Sequence, residues 1–117
     1  MKHCLVISDS FKGTLSSPDI CRIARTVDVP GWQIDALPVA DGGEETTACF
    51  LEACGGQRID LPVSGPFGGT VDGFYGLLPD GTAVIECAAA AGLHHAAGHM
   101  DPEIASTYGV GQLMAAA

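Results

Sequence analysis

The chain has 117 residues, one domain's worth or a piece of something larger. Hydrophobic residues make up 47%, enough to bury a core and to set disorder aside. Fourteen acids against five Lys and Arg leave a formal charge of −9, which argues against nucleic acid and anionic membrane as partners, because counterion release needs a basic surface.

No apolar run approaches the roughly 20 residues of a membrane helix, and one lysine before a short apolar run is too little for a secretory signal. The five cysteines, Cys4, Cys21, Cys49, Cys54 and Cys87, are odd in number and form no CxxC pair. They are expected to be small buried thiols in a reducing cytoplasm rather than a disulfide framework.

In chain order, "CLVIS" (Cys4–Ser8) is short, β-branched and unalternating, and predicts a fully buried strand. After a polar loop, a serine at the cap, Pro18 in the first helical position and Asp19 in the first turn predict a helix start. Ile20, Ile23, Ala24 and Val27 give that helix one apolar face, and "VPGW" ends it. "WQIDALPV" predicts a second strand, with Ile34, Ala36 and Pro38 on one face and Leu37 and Val39 on the other, stopping near Pro38. "ADGGEETTACFLEACGG" predicts a loop and a second helix, with Glu44 and Glu45 in its first turn and Gly55 or Gly56 as its stop. "QRIDLPV" predicts a third strand, so residues 1–63 spell β-α-β-α-β, the pattern of a parallel sheet.

The pattern changes at "SGPFGG" (Ser64–Gly69), a composition boundary. "TVDGFYGLL" and "TAVIECAAA" are strand-like runs joined by "PDG", which predicts a β-hairpin. Gly92 to Pro102 is expected to be a loop, and "STYGVGQLMAAA" the entry of a helix. That helix pattern halts among good helix formers without a C-cap, as in a cut chain.

In a parallel α/β sheet, ligands bind outside the carboxyl ends of the strands. Two polar clusters are expected there, "DSFKGT" after the first strand and "ADGGEE" after the second. Each leads into a helix N-terminus, where unpaired N–H groups and the dipole favour an anion. Lys12 adds a full positive charge, and Ser10, Thr14 and Ser16 add hydroxyls; an anionic substrate and a solvated loop lysine both fit. Asp41 and Glu44 flank Gly42 and Gly43, which suits Mg²⁺ beside phosphate or, equally, a glycine turn with helix-capping acids. Glu86 stands in the apolar run "AVIECAAA", either paired and functional or turned to water.

His94, His95 and His99 include an i, i+4 pair, but the glutamate of HExxH is missing and ordinary loop histidines are the simpler reading. No GxxxxGK[ST] or GxSxG occurs, and "GVGQLM" lacks the third glycine of the dinucleotide fingerprint.

Taken together, "ISDSFKGTLS", "PVADGGEET", "VIECAAAAGL" and "STYGVGQL" resemble, in order and spacing, the bacterial glycerate kinases of the first type, from about Lys2 to Gln112. The resemblance implies Mg²⁺-dependent transfer of the ATP γ-phosphoryl to D-glycerate, giving a phosphoglycerate. It implies two α/β domains, one flavodoxin-like with the second inserted into it, and an active site in the cleft between them. This chain is similar to the N-terminal third of such an enzyme: residues 1–63 as a flavodoxin-like half-domain, 64–117 as the start of the inserted one.

The family's motifs carry over onto Asp9, Ser10, Phe11, Lys12 and Gly13, onto Ala40, Asp41, Gly42, Gly43 and Glu44, onto Glu86 with Ala88, and onto Thr107, Tyr108 and Gly109. What they imply is Asp9, Lys12 and Glu86 as catalytic residues; Ser10, Gly13, Gly42, Gly43 and Thr107 on substrate or phosphate; and Asp41 and Glu44 on the metal. The chain departs from the family at Glu45, usually glycine, and at Val110, usually threonine. Two rivals stand beside the kinase: a non-catalytic module that binds a small organic acid or a partner chain, and a subunit that pairs with a separately encoded remainder.

Overall fold

The computed structural model describes residues 1–96, 98 and 100–117, which form two compact units, Met1–Asp41 and Gly42–Ala117. In the first, β1 (Lys2–Ser8) and β2 (Trp32–Pro38) pair in parallel, with Lys2 opposite Trp32 and Ser8 opposite Pro38. The connecting helix α1 (Ser17–Ala24) packs against both strands. Its cap is Ser16, so Pro18 takes the second helical position rather than the expected first. β2 ends at Pro38, as its missing N–H dictates.

Burial along β1 corrects the fully buried strand expected from "CLVIS". Cys4, Val6 and Ser8 are half-buried, whereas Leu5 and Ile7 are 61% and 55% exposed. The side-chain period of two sends alternate residues to opposite faces of the sheet.

In the second unit, α2 (Thr46–Cys54) precedes β3 (Gln57–Ser64), β4 (Thr70–Leu77) and β5 (Ala83–Val84), which form an antiparallel sheet in the order β3-β4-β5. This corrects the third parallel strand expected within 1–63, because β3 pairs with β4, Gln57 opposite Leu77 and Ser64 opposite Thr70. Residues 65–69 are enough for a hairpin between β3 and β4, whereas a parallel crossover between them would need about a dozen.

The expected hairpin at "PDG" is present between β4 and β5, closed by Leu78 N–H to the Thr82 carbonyl at 2.9 Å. The run "TAVIECAAA" is strand only at Ala83–Val84. Ala88–Ala91 instead forms the short helix α3, in keeping with alanine's helix propensity. A 3₁₀ turn, Leu93–Ala96, lies within the expected loop, and α4 spans Tyr108–Ala116.

The core of this unit is Val63, Tyr75, Ala89, Ala90, Val110 and Leu113. Of the cysteines, none of which is in a disulfide, Cys21 and Cys49 are buried, but Cys54 and Cys87 are exposed, contrary to expectation. Among the described residues no helix is long and apolar enough to cross a membrane.

The "YGVGQ" motif has a structural role. Gly109, buried in the first turn of α4, lies against the backbone carbonyl of Ser64 at the end of β3, so closely that a β-carbon there would overlap the oxygen. One turn on, Gln112 Oε1 accepts from Ser64 N–H at 2.7 Å. The strand end is thus held through its amide, with its carbonyl packed against the glycine. Gly109→Ala is expected to push α4 off β3 and destabilise the chain by about 1–3 kcal/mol, the usual range for overpacking, read as a lower urea midpoint at unchanged slope.

Candidate active site

The loop after β1 folds on itself. Phe11 N–H donates to the Leu15 carbonyl at 2.9 Å and Leu15 N–H donates back to Phe11 at 3.2 Å, closing a small antiparallel bridge. Thr14 adds its hydroxyl to the same Phe11 carbonyl at 2.8 Å. Lys12 and Gly13 form the exposed tip, and Gly13 has φ +79°, a conformation in which glycine carries no β-carbon penalty. Asp9 Oδ1 accepts from Ser10 N–H at 2.7 Å. The first loop therefore brings Asp9, Ser10, Lys12 and Gly13 together, with the lysine at its tip.

The N-terminus of α1 is satisfied from within. Ser16 accepts from Asp19 N–H at 3.1 Å, and Asp19 Oδ2 reaches back to the Ser16 N–H at 3.4 Å, completing a capping box. The Ser16 hydroxyl, and then Arg22, hold the Asp19 carboxyl below the usual carboxylate range.

The second loop departs from expectation at its acids. α2 begins at Thr46, so Glu44 and Glu45 precede the helix rather than occupy its first turn. Glu45 is the N-cap residue, has φ +70° and makes no side-chain cap. Among the described residues it is the one non-glycine with positive φ, and it stands where the resemblance expects glycine. Gly42 has φ +96°, and the Gly43 carbonyl accepts from the Thr46 hydroxyl at 2.8 Å.

The first turn of α2 is served from elsewhere in the chain. Glu86, between β5 and α3 and only 4% exposed, accepts Thr47 N–H on its Oε2 at 2.7 Å. The carboxylate thus lies at the positive end of the helix dipole, a favourable place for it. This explains a carboxylate in an apolar run: Glu86 is paired and does not turn to water.

Glu86 also lines a pocket of about 290 Å³ with Glu44, Glu45, Thr47, Phe74 and His94. The Thr47 hydroxyl oxygen is buried and has no hydrogen-bond partner among the described residues. The pocket brings Glu44 and Glu86 together; Thr107, exposed just before α4, does not line it.

The His94 and His95 rings lie tilted against each other with centroids 3.9 Å apart, and His99 lies outside the described residues. Among the described residues no three His, Cys, Asp or Glu converge as a ready-made metal cluster. Sequence reasoning missed Thr47 and Ser17, whose roles depend on partners 39 and 22 positions away. The adjoining serines at 16 and 17 and the adjoining threonines at 46 and 47 were the available signals.

The model of the glycerate kinase family matches residues 4–117. The chain is 43% identical over 119 aligned positions to a glycerate kinase of Bacillus subtilis, covering 97% of this chain and 31% of that protein. It is 35% identical to a glycerate 2-kinase of Escherichia coli, covering 94% and 30%. A crystal structure of a protein provisionally named glycerate kinase 2, from Salmonella typhimurium LT2, superposes with a TM-score of 0.76 at 34% identity, over 98% of this chain and 32% of that one. The chain spans about a third of the length of the relatives it matches.

Two substitutions probe this region. Glu86→Ala leaves the Thr47 amide without its acceptor and is expected to cost about 1–3 kcal/mol in denaturant unfolding, whereas Glu86→Gln keeps an acceptor oxygen and costs less. Glu45→Gly removes the left-handed strain and is expected to gain up to about 1 kcal/mol in the same measurement.

Proposed function

The chain belongs to the glycerate kinase family, and from that premise we propose that it carries part of the machinery for transferring the ATP γ-phosphoryl to D-glycerate, giving a phosphoglycerate. The observation that carries this reading is Lys12, an exposed lysine at the tip of the first loop in a chain of −9 formal charge, within a family match that covers the loop. Phosphoryl transfer is mostly positioning and charge neutralisation. Lys12 serves the first purpose as a point donor and the second as a cation, ligating the substrate carboxylate or the transferring phosphoryl together with Ser10 and the backbone at Gly13.

In this reading Asp9 orients or deprotonates the attacking hydroxyl, and its hold on Ser10 N–H keeps it in place. Asp41 and Glu44 would hold Mg²⁺ through their carboxylates, the donor type that ion takes. The ion's contribution when bound is to neutralise phosphate charge. Gly42 and Gly43 let the backbone come close to phosphate, and Thr107 offers a hydroxyl. Glu86, first expected as a catalytic carboxylate, is better read as a positioning residue that fixes the start of α2 and with it the neighbouring Glu44.

The flavodoxin-like arrangement with an inserted second domain is carried over from the family; the parallel β1–β2 pair with α1 between its strands supports it. Buried cysteines outside any disulfide at Cys21 and Cys49 suit the cytoplasm.

A second reading, carried from the sequence, is a module that binds a small organic acid or a partner chain without turnover. Calorimetry with D-glycerate and ATP alongside a phosphoryl-transfer assay separates the two, since binding without turnover supports the module. In the enzyme that contains this chain, Lys12→Ala is expected to lower kcat/KM by at least about tenfold, equivalent to about 1.4 kcal/mol of transition-state stabilisation. An unchanged value removes Lys12 from the chemistry.

A further inference from the structure

The first unit contains a hydroxyl in an unusual place. Ser17, the first residue of α1, is fully buried, and its Oγ makes two hydrogen bonds to the sheet. It donates to the Ser8 carbonyl at 2.7 Å and accepts from the Val39 N–H at 2.9 Å. These are the groups at which the β1–β2 ladder ends. In the observed register Lys2 N–H donates to the Gly31 carbonyl, and Ser8 lies opposite Pro38. Continuing that alternation, the next ladder bond would run from Val39 N–H to the Ser8 carbonyl. The serine hydroxyl takes both groups, using its donor and one acceptor site.

We propose that Ser17 is a positioning residue: its hydroxyl, interposed between the last carbonyl of β1 and the first amide beyond β2, sets where the Asp9–Thr14 loop and the Ala40–Asp41 segment leave the sheet. A direct ladder bond would draw the two strand ends together. A hydroxyl between them holds them one bridging atom further apart and ties both to the first turn of α1. The geometry stands independently of function. Its consequence for catalysis rests on the phosphoryl-transfer reading above, in which these segments carry Lys12, Ser10 and Asp41.

Capping of α1 belongs to Ser16, so Ser17 is not needed as the cap. The half-buried Ser8 carbonyl and Val39 amide would otherwise need each other, and the helix supplies the alternative.

The test uses the 117-residue chain, isotope-labelled, with Ser17→Ala, Ser17→Thr and Ser17→Cys compared with the unchanged protein. Two readouts are taken: amide hydrogen exchange at Val39 relative to the ladder amides of Val6 and Leu37, and backbone chemical shifts of residues 9–14 and 40–41. The expected result for Ser17→Ala is Val39 exchange about tenfold faster than the ladder amides, with shift changes in both loop segments. Ser17→Thr, which keeps the hydroxyl, restores both. Should Ser17→Ala fail to fold, Ser17→Cys keeps the volume with a much weaker hydrogen-bonding group and is expected to show the same changes.

A uniform loss of protection with unmoved loop shifts would make Ser17 an ordinary structural serine and overturn the proposal. So would unchanged Val39 exchange together with unmoved loop shifts. Titration of the unchanged chain with D-glycerate addresses the catalytic reading alone, so failure there and failure of the clamp are read from different experiments.

Discussion

A buried carboxylate sets the terms for the second unit. Desolvating Glu86 costs several kcal/mol unless a donor meets it, and the donor here is a backbone amide at the start of α2. That single bond joins residues 39 apart in sequence and makes the start of α2 depend on the segment between β5 and α3. α2 has no local side-chain cap, because the residue at its cap position is in the left-handed region. The cap supplied from a distance and the strained local residue belong together: the loop bends sharply where the helix cannot cap itself.

The first unit meets the same need with a neutral group. Two strand ends that could have bonded directly are bridged by a serine from the helix between them. In both units a polar side chain buried against a loop satisfies backbone groups that the regular ladder or helix leaves over, which is what burial of such groups demands. The loops that carry Lys12 and Glu44 start from these fixed points.

Much of this was legible in the sequence. Pro38 marked the end of β2 because a residue without an N–H cannot continue a ladder, and "PDG" marked the β4–β5 turn because proline presets one turn dihedral and glycine tolerates a positive one. The candidate loops were legible because parallel strands put their carboxyl ends, and hence their loops, on one edge. What escaped was decided by distant partners or by one-residue shifts. Ser16 and Ser17 are both plausible caps by composition, and only the fold assigns one to the helix and the other to the sheet. Glu44 and Glu45 read as first-turn acids until the left-handed backbone at 45 delays the helix by a turn's edge. The pairing of β3 follows from the brevity of the 65–69 link, a signal that was present but outweighed by the preceding β-α-β-α rhythm.

The exposed side of the β1–β2 pair has a consequence for handling the protein in solution. Leu5 and Ile7 lie 61% and 55% exposed on a parallel pair, and parallel sheets are ordinarily covered on both faces. Apolar surface beside open strand edges is a template for further strand pairing. The opposing factor is the chain's −9 formal charge, which repels copies of itself at neutral pH. That protection resides in Asp and Glu, so acidification or concentrated salt weakens it while leaving the apolar face unchanged. Colloidal stability of this chain therefore depends on its carboxylates remaining ionised and unscreened.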